Sequence, residues 1–516
     1  MPESRTARVQ KNVVTSILQN FVSIGISFVS RMIFVRILDE SYLGINGLFS
    51  NILNILSLAD LGMGAVMMYS LYAPIEEGDT GKISALVSFF RRIYLGIALT
   101  VLLAGLAFLP FLSLVVNLKE PVPLLEGYYV LSLINVVVSY LFVYRTTLIS
   151  ADQKMYILNK YIMVFKIITF VVQSVVLVLF RDYFVYLAAA VVVSFISNVC
   201  QNLVSLKMYP FLKGSAPKLE KKEKNRIFHD VKAMFLYRIS GTIQSNTDNI
   251  LISVFSGTVS VGFYSNYAMV VTQITGIITL IFNSVKASIG SLVVNKDTGK
   301  EDKFFLFQVS EMCCFWIVGF CTVCFVALFQ DFIQLFFGAK YVVDWIVVIA
   351  VVLNFYTNNI RQSVWAFREA TGLFQQTKHI TAVTAVLNIL FSILFGYFWG
   401  MAGILLATVL ARMLYAWWKE PVVLYGFFFK RSAVSYLLNY IKNAVLCIVT
   451  CAVTYFLCEW VVMENSYMEF AVHMLICCIL PNVIFLCVFW NTKEFRYIRK
   501  KLLSPMIRKV MKKNSG

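Results

Sequence analysis

Charged side chains inside long apolar runs set the chemistry this chain can do. The cations Arg31, Arg36, Arg145, Arg238, Lys286 and Arg361 outnumber the anions Asp60 and Asp248. Each such charge costs around 3 kcal/mol or more at mid-membrane unless it is paired or wetted. Guanidinium groups grip phosphate oxygens in pairs and keep their charge at any working pH. A cationic pocket of this kind suits an anionic substrate with a large polar body, such as a sugar carried on a phosphate or pyrophosphate.

The charges sit among polar side chains at helical spacing. The first apolar run carries Asn20, Ser23, Ser27, Ser30 and Arg31, and the second carries Asn46, Ser50, Asn54, Ser57 and Asp60. Tyr237, Gly241, Gln244, Ser245 and Asp248 repeat the pattern on the seventh. Thr272, Thr275, Thr279, Asn283 and Lys286 repeat it on the eighth. The tenth adds Asn354, Asn358, Arg361 and Gln362, and the fourth adds Asn135, Ser139 and Arg145. Lipid does not solvate such faces, so they are expected to meet around a central hydrated cavity. Structural readings stand beside this one. Ser and Thr stripes also serve close helix packing, Arg31 and Asp60 form a candidate salt bridge, and Arg145, Arg361 and Arg368 could snorkel to lipid phosphates. Lys166 and Arg412 lie inside their runs with no readable partner.

The elements that hold these residues must be membrane helices. The 516-residue chain is 59% hydrophobic and 14% charged, with a mean hydropathy of +0.77. About 20 apolar residues make one span, and the sequence divides into about fourteen such runs. The expected fold is therefore an all-α integral membrane protein of two six-helix bundles plus two C-terminal helices.

The halves are duplicates. Residues 36–82 return in degraded form at 254–300, with Gly44 opposite Gly262 and the DTGK of 79–82 opposite that of 297–300, both at an offset of 218. Six helices per half make the repeats parallel, related by an axis along the membrane normal, which is a transporter signal. The expected divisions are a first bundle at 1–206, a basic linker at 207–232, a second bundle at 233–425, two extra spans at 426–491 and a basic tail at 492–516.

Lys and Arg concentrate in alternate loops and both terminal segments, which the positive-inside rule assigns to the cytoplasm. That rule accounts for the net charge of +18 without nucleic acid. The first run lacks a small-residue cleavage site and reads as a retained helix. All eleven Cys fall inside apolar runs, where a thiol behaves as a small hydrophobe. His229, His379 and His473 are too scattered for a metal site. No GxxxxGKS loop is present to use a nucleotide.

Arg36-Ile-Leu-Asp-Glu-Ser-Tyr42-Leu-Gly44, followed by Leu58-Ala-Asp60-Leu-Gly62, resembles the start of the polysaccharide transporter family. These are bacterial flippases of the multidrug, oligosaccharidyl-lipid and polysaccharide exporter superfamily. Asp39 stands where that family often has Gly. The resemblance implies a V-shaped pair of bundles lined by helices one, two, seven and eight, with Arg36 as a cavity residue. It also implies movement of an undecaprenyl-pyrophosphate-linked repeat unit to the outer leaflet of a bacterial cytoplasmic membrane, without enzymatic chemistry. The implied partners are that polyprenyl-linked glycan, membrane lipids and polysaccharide polymerase machinery. No cofactor is implied, and H⁺ or Na⁺ are the candidate coupling ions. Three alternatives remain open at this stage. They are a cation-coupled multidrug antiporter using Asp60 and Asp248, a lipid II flippase, and a membrane glycosyltransferase or polymerase, which would need catalytic acids gathered at one face.

Overall fold

The computed structural model describes residues 5–57, 62–214, 216–294 and 299–500. Asp60 and the second DTGK's Asp297 lie outside them. Within the described residues the regular structure is helical. It divides into two compact units, Met1–Ser265 and Asn266–Gly516.

The first unit runs through α1 (Arg5–Ile37), α2 (Glu40–Leu56), α3 (Met63–Glu77), α4 (Thr80–Phe108), α5 (Leu112–Val115), α6 (Leu125–Tyr140), α7 (Val143–Ala151), α8 (Met155–Phe180) and α9 (Tyr183–Met208). It also takes in α10 (Lys221–Ser256), which packs on α2 and α3, and the start of α11 (Thr258–Val294). The basic linker expected at 207–232 is therefore helical from Lys221 onward. The run KKEKNR consists of strong helix formers apart from Asn225 and contains no Pro or Gly, so nothing in it stops α10 from extending beyond its apolar part.

The second unit holds the rest of α11, α12 (Lys300–Phe336), α13 (Trp345–Asn359), α14 (Gln362–Ala370) and α15 (Phe374–Ala411). Two π-turns flank α16 (Trp417–Leu424), and α17 (Val434–Glu459), α18 (Ser466–Phe489) and α19 (Lys493–Ile498) follow. Gly400 sits inside α15 at φ 55°, ψ −135°, a conformation that only glycine takes readily, and divides it into two spans. Among the described residues nine helices are long and apolar enough to cross a membrane. A tenth span is the pair α6 and α7, bent by 42°.

The duplication reappears in the backbone. The break after Tyr140 in the first half matches the break after Asn359 in the second, at an offset of 219. The helices that follow both breaks, α7 and α14, have nine residues each. Neither break holds Pro or Gly, so local sequence does not announce it. A backbone interruption at membrane depth is tolerated only where protein or water satisfies the freed groups.

Candidate functional site

In the first unit α8 meets the N-terminal half of α1 through polar contacts, one of them to Ser23 of the stripe. Asn159 donates to Thr15 and Ser16 at 3.2 and 3.0 Å, and the Lys166 ammonium donates to Ser23 Oγ at 2.8 Å. Lys166 thus has a partner that the sequence did not reveal. Arg31, half-buried near the far end of α1, donates to Ser265 Oγ of α11 at 3.2 Å. Its charge also reaches the hydroxyls of Tyr183 and Tyr186. Arg36, one turn further on, is exposed. Asp248 lies half-buried on α10, close enough for its charge to act on Tyr264. Asp60 is outside the described residues, and so is the side chain of Arg238.

The close contact in this unit is between glycines. A Cβ added to Gly44 on α2 would lie 2.1 Å from the carbonyl oxygen of Thr258, and one added to Gly262 would lie 2.8 Å from the Gly44 nitrogen. Small residues let two membrane helices approach until backbone touches backbone. The turn before α11 is fixed from outside. Thr258 N–H donates to the Asn117 carbonyl and Thr258 Oγ1 accepts from Asn117 N–H, both at 2.8 Å. Ser253 donates to the Val115 carbonyl at 2.6 Å.

The second unit builds a polar ladder between α11 and the broken pair α13 and α14. Asn359 donates to Thr275 at 3.1 Å, Gln362 donates to Thr279 at 3.3 Å, and the Lys286 ammonium pairs with Glu369. The rungs climb both helices in the same direction. At the top, Lys286 and Glu369 are both half-buried. At an offset of 218 Lys286 corresponds to Met68, and at 219 Glu369 corresponds to Ser150, so the charged rung belongs to the second half alone.

Beside the ladder lies a buried ion cluster. Glu420 on α16 accepts from Arg361 at 3.2 Å, from Arg368 at 3.1 Å and from the Trp365 indole at 2.9 Å. All three charged groups are under 9% exposed, and Arg361 stacks over Trp365 at 4.8 Å. Arg361 and Arg368 therefore do not snorkel to lipid; both point inward to one carboxylate that lies 59 and 52 residues further along the chain. At an offset of 219 these two arginines correspond to Phe142 and Ile149. The first half instead has Arg145 on α7, which donates to Asn202 on α9.

Asn354 donates to the Leu405 carbonyl at 2.7 Å, while Arg412 donates to the Asn354 carbonyl at 3.2 Å and to Thr357 at 2.8 Å. Both side chains thus serve helix packing. Asn358 is half-buried, and among the described residues its side chain has no hydrogen-bond partner. The described residues singled out from sequence thus fall into two groups. Asn354 and Arg361 are committed to the protein interior, whereas Arg31, Arg36, Arg145, Lys286 and Asn358 retain exposure. Glu369 and Glu420 were missed; both lie in apolar stretches that carry other charges, and only the fold shows which charges they meet.

A family model described as polysaccharide biosynthesis protein matches residues 9–286. No curated protein matches the chain's sequence. Among solved structures, the lipid II flippase MurJ in an inward closed conformation superposes with a TM-score of 0.68 at 13% identity, over 93% of this chain and 99% of that one. An inward-facing multidrug resistance transporter of the MATE family, in the MOP superfamily, gives 0.58 at 15% identity, over 77% and 91%. A mutant of the Vibrio cholerae MATE transporter VcmN gives 0.54 at 12% identity, over 83% and 99%. These likenesses establish a shared transporter fold.

Proposed function

Because the chain belongs to the polysaccharide biosynthesis protein family, we propose that this multi-pass membrane protein is a flippase for an undecaprenyl-pyrophosphate-linked oligosaccharide repeat unit. It carries that unit from the cytoplasmic to the outer leaflet by alternating access, for export of a cell-surface polysaccharide. The observation that carries the reading is the family match over 9–286, a stretch that contains Arg31, Arg36, Asp60, Arg145, Arg238, Asp248 and Lys286.

In this reading Arg31 and Arg36 hold the pyrophosphate, since both keep exposure beside hydroxyl-rich helix faces and a guanidinium binds two phosphate oxygens at once. Arg145, Arg238 and Lys286 extend the positive field, and Asn358 hydrogen-bonds the glycan. Asp60 and Asp248 pair with the arginines between cycles or take up a coupling H⁺ or Na⁺. Arg361 and Asn354 support the walls of the site and do not touch substrate. The prenyl tail stays in lipid. The outer face of α17 suits it, because Leu438, Ile441, Val445 and Ile448 are exposed at helical spacing. Movement across the membrane makes and breaks no covalent bond, so the side chains supply binding energy and charge compensation only. The basic ends face the cytoplasm of a bacterial inner membrane, where polymerase machinery acts on the opposite side.

The test is transbilayer movement of a lipid-linked oligosaccharide in vesicles containing the purified chain, read by access of a glycan-binding probe to the far leaflet. Movement should fall about 10- to 100-fold in Arg31→Ala and Arg36→Ala, the loss of one charge-assisted contact. Movement of lipid II in preference to prenyl-pyrophosphate oligosaccharides would shift the substrate. Absence of all such movement, with gradient-driven uptake of a cationic dye that depends on Asp248, would replace the reading by a drug antiporter.

A further inference from the structure

The second unit contains a cavity of about 190 Å³ whose lining shares no residue with the ladder or the Glu420 cluster. It opens where α19 packs back on α12, next to the first turns of α17. Its polar lining includes Glu311 of α12, Tyr436, Asn439, Lys442 and Asn443 of α17, and Glu494 of α19. Among the described residues none of these six side chains makes a hydrogen bond or an ion pair. Tyr436 is only 3% exposed, so its hydroxyl can find a partner only in the cavity itself. Buried polar groups are ordinarily satisfied by protein or by a bound molecule. Tyr436 is buried and Glu311, Asn443 and Glu494 are half-buried, while Asn439 and Lys442 are exposed; a buried hydroxyl and two half-buried carboxylates with no protein partner among the described residues around one cavity point to an occupant.

The charges define that occupant. Glu311 and Glu494 line the same cavity, and a cation held between two carboxylates in a partly desolvated space relieves their mutual repulsion. Lys442 lines the same space yet forms no salt bridge with either carboxylate among the described residues. The cavity therefore has a negative pole and a separate positive one. Among the described residues no His, Cys, Asp and Glu group is arranged to hold a metal ion, so an ammonium suits the negative pole better. A zwitterion with an ammonium a few bonds from an anion matches both poles.

Depth points to its source. Trp490 at the end of α18 is exposed and lies 5.1 Å under the Arg499 guanidinium. Exposed Trp with a neighbouring Arg is the residue pair of the headgroup layer. Glu494, which lines the cavity, lies between them in sequence.

We propose that this cavity binds a phosphoethanolamine group, with its ammonium between Glu311 and Glu494 and its phosphate toward Lys442. Tyr436, Asn439 and Asn443 supply the remaining hydrogen bonds. The donor is a phosphatidylethanolamine headgroup from the adjoining leaflet.

Native mass spectrometry of the full chain, purified with equal amounts of phosphatidylethanolamine, phosphatidylcholine and phosphatidylglycerol, tests this. Phosphatidylethanolamine should be retained about tenfold or more over phosphatidylcholine, whose quaternary nitrogen has no N–H to donate. Glu311→Gln and Glu494→Gln should remove that preference. Lys442→Met should lower retention of both lipids together. Tyr436→Phe keeps the shape of the wall and should weaken retention several-fold, which covers the case in which a Glu variant does not fold. Competition by soluble phosphoethanolamine at millimolar concentration would keep the chemistry and move the source to a soluble ligand. Equal retention of the three lipids, or a preference unchanged in Glu311→Gln and Tyr436→Phe, overturns the proposal.

Discussion

Replacing Glu420 by Ala isolates the buried cluster. The carboxylate is 4% exposed and accepts three hydrogen bonds, two of them from guanidinium groups that are 5% and 8% exposed. Its removal strands two positive charges in the interior, and breaking a buried pair by removing one partner costs about 3–5 kcal/mol. Some compensation remains. Arg368 keeps Glu369 at 3.9 Å and Arg361 keeps its stacking on Trp365, which places the expected loss near the lower end, about 3 kcal/mol. For a unit the size of Asn266–Gly516 this corresponds to a fall in midpoint of roughly 6–12 °C. The assay is the fraction of purified protein that stays monodisperse after heating, measured against temperature. Arg361→Ala should also be destabilising, and the double variant should lose less than the two single losses added together, because one of the two stranded charges has gone. The reasoning fails if Glu420→Ala melts within a degree of the parent, or if the two substitutions add. Folded Arg361→Ala protein should keep its transport rate, in contrast to Arg31→Ala.

Two more outcomes follow from the geometry. Gly44→Ala should cost about 1–3 kcal/mol by overpacking, because its methyl would meet the Thr258 carbonyl, which is backbone and cannot rotate aside. Gly47→Ala should be milder, since its nearest neighbour is a Val261 methyl at 3.3 Å; equal melting of the two variants would refute the contact. With Cys478 and Cys487 replaced by Ala, a membrane-impermeant maleimide applied to intact cells should label Lys119→Cys and spare Lys160→Cys, and the reverse pattern would invert the orientation.

The helical architecture and its duplication were legible because both are written in composition and spacing. Apolar runs of membrane length and a repeated DTGK need no tertiary information. The stripe on α11 was legible for the same reason, since Thr275, Thr279 and Lys286 share one face by periodicity alone. Its partners were not. Glu369 and Glu420 lie 83 and 59 residues from Lys286 and Arg361, and nothing local marks which of several charges a carboxylate will meet once helices pack. The same distance hid the partners of Lys166 and Arg412. The breaks after Tyr140 and Asn359 were invisible because neither holds Pro or Gly. Glu311 escaped notice as one acid among the aromatic residues of α12, and the fold gives it meaning by bringing Glu494 and Lys442 to the same cavity.

The contact between Gly44 and Gly262 carries a consequence for the history of the chain. The offset makes these two residues copies of one another, and they touch. A residue that meets its own copy belongs to a self-complementary patch, like those on the axis of a symmetric dimer. Before the copies diverged, any side chain introduced there would have appeared on both faces at once and collided with itself. Glycine is the residue that satisfies both copies together, so it persists in both halves where most of the surrounding letters have drifted apart.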